Sequence, residues 1–93
     1  MQTTYARLCE AREEMECAEL ATRMCLEWPH MYTLEEKAAL IERYEAAERA
    51  VDEAIRADFR ALPPRLQDEM VDLLRGSLAP DHARWWMELL GVA

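Results

Sequence analysis

The run TLEEKAALIERYEAAERAVDEAIRADFRAL, residues 33–62, does most to restrict what this chain can fold into. It holds neither glycine nor proline and is rich in alanine, so helix propensity is high from end to end. Thr33 and Glu36 stand at capping-box spacing, where each side chain satisfies an orphan amide of the first turn. Pro63 and Pro64 close the run, because a residue before proline is driven out of the α region. A single helix roughly 42 Å long follows from a rise of about 1.5 Å per residue. Leu40, Tyr44, Ala47, Val51, Ile55 and Leu62 form its apolar stripe, with Ile41 and Phe59 on the flank. Glu35, Glu42, Arg49, Glu53, Arg56 and Arg60 lie opposite. A helix patterned this way needs partners along its whole length.

Residues 3–28 supply the first of them. Leu8, Ala11, Met15, Ala18, Thr22 and Cys25 recur at heptad-like spacing, with Arg12, Glu13, Glu16, Glu19 and Arg23 on the far side. Two alanines and a threonine in that seam suit close approach to a neighbouring helix. Beyond Cys17 the apolar surface widens to take in Leu20, Ala21, Met24, Leu26 and Trp28, which predicts cover from further helices or from another subunit. Pro29 ends the segment. The link from Trp28 to Tyr32 is short, so the two long helices are expected to be antiparallel neighbours. It carries two aromatics and a methionine where polar turn residues are usual. Either Trp28 and Tyr32 fold back over the hairpin end, or they form an exposed anchor for a partner.

Two shorter helices complete the pattern. Pro64 suits a helical first turn, and Leu66, Met70, Val71, Leu73 and Leu74 give residues 64–75 an apolar face, with Gly76 as the expected terminator. Pro80 and Asp81 open a fourth helix over residues 80–90, which carries Ala83, Trp85, Trp86, Met87, Leu89 and Leu90 and stops at Gly91. Adjacent tryptophans project about 100° apart, so one belongs to the core and the other to an edge or interface. The expected fold is all-α: two long antiparallel helices with two shorter ones packed across them, in a single domain spanning residues 1–93. No segment alternates as a strand does, and there is no internal repeat.

Charge narrows the function classes. The 93 residues carry 19 acidic and 11 basic side chains, a net charge of −8 spread evenly along the chain. Carboxylates repel phosphate, so direct binding of nucleic acid or an anionic membrane is disfavoured, and a basic protein surface is attracted. No uncharged run is long enough to span a bilayer. The first residues lack the basic and apolar regions of a secretory signal, so a soluble, cytoplasmic protein is expected. Cys9, Cys17 and Cys25 recur every eight residues, about 12 Å apart on a helix. That is too far for disulfides and wrongly spaced for zinc, and it reads as free thiols filling a helical core.

No constellation for catalysis emerges. Glu27 and His30 have the Glu-x-x-His spacing of di-metal bundles, but such sites need two copies and this one is interrupted by Pro29. His82 sits in the first turn of the fourth helix, where the dipole disfavours a cation. Ser77 is the sole serine and lacks a nucleophile-elbow context, and the only glycines are Gly76 and Gly91, so no phosphate loop exists. The last two helices have helix-turn-helix order, but the second carries Arg84 alone beside Asp81 and Glu88. Neither a cofactor, a metal nor an enzymatic reaction is expected. Asp58 breaks the apolar stripe between Ile55 and Leu62. It is expected either at the protein edge near Arg65 or Arg75, or as the contact for a partner's arginine.

In size, acidity and helicity over the whole chain, the protein resembles phage anti-CRISPR and other anti-defence proteins, and acidic immunity proteins. That resemblance implies a non-enzymatic inhibitor that occupies a basic, nucleic-acid-handling protein or complex. Strict mimicry of nucleic acid is weakened by the spacing of Glu19 with Arg23, Glu45 with Arg49 and Asp52 with Arg56, each suited to an i,i+4 ion pair. The alternative is a helical adaptor or homodimeric scaffold with no inhibitory role. Exposure logic nominates Glu13, Glu16, Glu42, Glu53 and Asp58 as charged partner contacts, and Trp28, Tyr32 and Trp86 as aromatic ones.

Overall fold

The structure, a computed structural model, describes residues 3–92, and these are all-helical with no strand. In chain order come α1 (Thr4–Glu27), a single 3-10 turn (Pro29–Met31), α2 (Leu34–Arg60), α3 (Pro64–Ser77) and α4 (Pro80–Leu90). Local chemistry accounts for most of the boundaries. Thr3 Oγ1 accepts from the Ala6 amide at the start of α1. Both arms of the Thr33/Glu36 capping box are made, at 3.1 and 3.2 Å. Gly91 adopts φ 75°, and its amide and that of Val92 return to the Glu88 and Met87 carbonyls at 3.2 and 3.0 Å. That is a Schellman ending, which favours glycine at the left-handed position.

Gly76 does not terminate α3, contrary to expectation. The helix passes through it to Ser77 and ends where Leu78 turns extended, at φ −112° and ψ 156°. Pro80 fixes this, since it bars the α region to Ala79 and leaves the link before α4 extended.

α1 and α2 run antiparallel. Thr4, at the start of α1, donates its hydroxyl to Asp58 Oδ1 near the end of α2 at 2.9 Å. Farther along, Arg43 Nε reaches Glu14 Oε1 at 2.7 Å. The seam residues Leu8, Ala11, Met15 and Thr22 are half-buried and Ala18 and Cys25 buried, facing Leu40, Tyr44, Ala47 and Val51 of α2. Ala18 and Ala47 are the most buried positions, at 1% and 3% exposure. Close approach there is set by methyl groups.

The short helices are not laid across both long ones. α4 packs on α2, and α3 packs on α4. Both gather at the end of α2 far from the turn. Arg56 Nε donates to the Leu89 carbonyl at 2.6 Å, and Gln67 Nε2 donates to the Leu62 carbonyl at 2.7 Å. Arg56, from the polar side of α2, thus joins in the docking: its cation meets the carbonyl end of α4, where helix dipole and orphan acceptors favour it. Phe59, Ala83, Met87, Leu89 and Leu90 form the buried cluster at this end.

The helices follow one another in a series of pairwise contacts and enclose little. The Cα envelope measures 52 × 36 × 16 Å with a radius of gyration of 16.8 Å, against about 12 Å for a compact chain of this length. The accessible surface is 7145 Å², where a compact monomer of this size exposes about 5,600 Å². About 55% of the unfolded surface is buried, below the 60–65% such a chain ordinarily reaches.

Candidate protein-binding surface

Three kinds of surface emerge from this layout. The first is acidic. Glu13 and Glu16 are exposed on α1, and Glu42 and Glu53 on α2, all held on stiff helices. The expected i,i+4 neutralisation does not form: among the described residues the ion pairs are Arg43–Glu14, at 2.7 Å, and Arg65–Glu69, at 3.9 Å. Arg56 has turned from Asp52 to the Leu89 carbonyl. The hydrogen bond from Arg43, aided by its charge, holds the Glu14 carboxyl below its usual range and raises the Arg43 guanidinium in return.

The second is aromatic. Trp28 is 57% exposed and Met31 69% exposed, while Tyr32 is half-buried. The indole of Trp28 meets His30 edge-on at 6.2 Å between ring centres. Trp28 therefore does not fold back over the hairpin end. On α4 the nominated Trp86 is half-buried, and Trp85 is the exposed indole, at 54%. The two rings pack edge-to-face at 5.2 Å. The signal was present in the sequence: Ala83, Met87 and Leu90 recur at i, i+4, i+7 as the buried stripe, and Trp85 projects from the opposite side.

The third is apolar and was not nominated as a site. A groove of about 400 Å³ opens between the turn ends of α1 and α2, lined by Thr22, Cys25, Leu26, Pro29, Leu40 and Ile41, with Lys37 at its rim. Leu26 and Ile41 in its walls stand 76% and 55% exposed; Leu34, at the start of α2, is 83% exposed, and Leu20 and Met24, on the side of α1 turned away from the seam, are 55% and 49% exposed. The cover expected for the second half of α1 is thus not supplied by α3 or α4. Both short helices are engaged at the other end of α2.

Asp58 gains a partner within the chain that its place in the sequence did not suggest. It is half-buried and accepts the Thr4 hydroxyl at 2.9 Å, while Arg65 lies beside Glu69. One carboxylate oxygen is committed inside the fold. All three cysteines are free thiols; Cys25 is buried and Cys9 half-buried, but Cys17 is exposed and fills no core. It falls one residue, about 100°, from the seam position Ala18. Among the described residues no group of three or more His, Cys, Asp or Glu side chains is placed to hold a metal ion. No helix there is long and apolar enough to cross a membrane.

Compared with protein-family models, with curated proteins and with solved structures, the chain has no significant match.

Proposed function

We propose that this protein is a small, non-enzymatic inhibitor that binds the basic surface of a nucleic-acid-handling protein or complex. The observation that carries the reading is the set of exposed carboxylates Glu13, Glu16, Glu42 and Glu53 on rigid helices, left outside the ion pairs. A net charge of −8 on 93 residues steers such a chain toward a positive surface and away from nucleic acid itself. Its likeness in size, acidity and helicity to anti-CRISPR and immunity-type proteins suits the same role.

The test is capture of CRISPR effector ribonucleoproteins and other basic nucleic-acid enzymes by the immobilised chain across a salt series. Affinity should fall as salt rises, and the fourfold variant Glu13→Lys, Glu16→Lys, Glu42→Lys, Glu53→Lys should weaken capture by at least about tenfold. Capture that ignores both salt and charge reversal would refute the electrostatic reading. The exposed groove at the hairpin turn favours a second reading, a helical adaptor or self-pairing scaffold that works through apolar contact.

A further inference from the structure

Helix α4 sets three aromatic rings in contact. Trp85 packs edge-to-face on Trp86 at 5.2 Å between ring centres and 85° between planes, and His82 tilts against Trp85 at 6.2 Å. A long side chain on a helix leans back over the preceding turn, and the contact with His82 shows the Trp85 ring doing so. Trp86 is half-buried, so one indole is seated in the fold and steadies the other, which stays 54% exposed. One helical turn from Trp85 lie Asp81 and His82 on one side, Glu88 and buried Leu89 on the other. Both carboxylates are exposed and stand outside the ion pairs found among the described residues. Arg84 projects about 100° away round the helix.

We propose that Trp85, Asp81 and Glu88 form a receptor for an arginine side chain on the surface of a bound protein. The site rests on the preference for a basic target proposed above, and adds which side chain of that target is gripped and where.

Chemistry selects the occupant. An apolar side chain laid on this indole strips water from two flanking carboxylates and offers them nothing in return. An anion is repelled by both. A cation is drawn to the ring face and to the carboxylates together. Arginine suits the place better than lysine, because its guanidinium stacks flat on an aromatic ring and keeps its N–H donors in its own plane. Those donors then point past the rim of the indole, toward Asp81 and Glu88. A ring already pinned by its neighbours loses little freedom when the cation arrives. Trp28, the other exposed indole, lacks this frame: the residues three and four positions from it are Met24, Cys25, Met31 and Tyr32.

Titration of the full chain with tetra-arginine and tetralysine peptides tests it, read by NMR from the indole N–H signals. Trp85 should respond more than Trp28, and tetra-arginine should bind about two- to fivefold more tightly than tetralysine. Trp85→Leu should abolish that preference, and Asp81→Asn with Glu88→Gln should weaken tetra-arginine at least about threefold, with helicity unchanged by circular dichroism. Glu13→Gln with Glu16→Gln on α1 should leave the preference intact. A response confined to Trp28, equal affinity for the two peptides, or a Trp85→Leu variant that still prefers arginine would each overturn the proposal. So would N-acetyl-leucinamide shifting Trp85 as far as N-acetyl-argininamide does. Arginine binding at Trp85 without capture of any nucleic-acid enzyme would instead sink the inhibitor reading and leave this receptor standing. Capture weakened by the fourfold glutamate reversal but not by Trp85→Leu would do the reverse.

Discussion

Replacing Ala18 by leucine gives a result whose sign depends on how the hairpin packs. On an open or loosely packed helix face the change is favourable or neutral, because leucine is nearly as good a helix former as alanine and buries more apolar surface. At Ala18 only 1% of the residue is exposed, and Ala47, the most buried residue of α2, is 3% exposed. Three further carbon atoms have nowhere to go unless α1 and α2 spread. Overpacking of this kind costs about 1–3 kcal/mol. A domain of this size has roughly 5–14 kcal/mol of stability in all, and the shallow burial here places it toward the lower end. At about 4–8 °C per kcal/mol, the midpoint of thermal unfolding should fall by about 5–20 °C. Far-UV circular dichroism on heating reads the shift directly. Leucine at the exposed neighbour Cys17 supplies the control, with little or no loss expected. If Ala18→Leu leaves the midpoint unchanged or raises it, the helices are not in methyl-to-methyl contact and the account of the seam is wrong.

Phe59→Ala removes the large side chain that α2 contributes to the buried cluster with Ala83, Met87 and Leu90, and should cost about 3–5 kcal/mol; an unchanged denaturation midpoint would mean that α4 is not held there. Thr4→Val leaves half-buried Asp58 without its hydroxyl donor and should destabilise by about 1–2 kcal/mol, whereas Asp58→Asn keeps an acceptor and should cost less. Equal losses in the two variants would count against that hydrogen bond. Glu14 titrates below its unfolded value because Arg43 binds it. Its contribution is therefore fully in place above the unfolded pKa and disappears as pH falls through the lower, folded one. Glu14→Gln should flatten the acid limb of a stability–pH profile at low salt and change little at high salt, the pair being exposed. A steeper acid limb in the variant would contradict the assignment.

Features encoded within a few residues were legible in the sequence. The capping box at Thr33 and Glu36, the prolines that open α3 and α4, and the left-handed Gly91 are local chemistry, and the observed helices follow them closely. The seam from Leu8 to Cys25 was legible too, because a repeated apolar spacing reports which side of a helix turns inward. It does not report what arrives to cover that side. Leu20, Met24 and Leu26 read as buried and stand in solvent, since nothing in their spacing reveals that α3 and α4 dock at the opposite end of α2. Arg56 read as a solvated cation because only the folded chain brings the carbonyl end of α4 to it. Asp58 and Thr4 are 54 positions apart, a pairing that no local pattern carries. Glycine at position 76 misled for the converse reason: its freedom was not needed where the following proline already set the boundary.

Because α2 is shared by the hairpin and by the α3–α4 cluster, it acts as a spine between two small, separately packed lobes. Strain that loosens α4 would peel it from Arg56 and Phe59 while the seam around Ala47 on the other half of the same helix stays shut. Amide exchange should then come in two tiers along one continuous helix, with the slow protons near Ala47 and faster ones beyond Asp58.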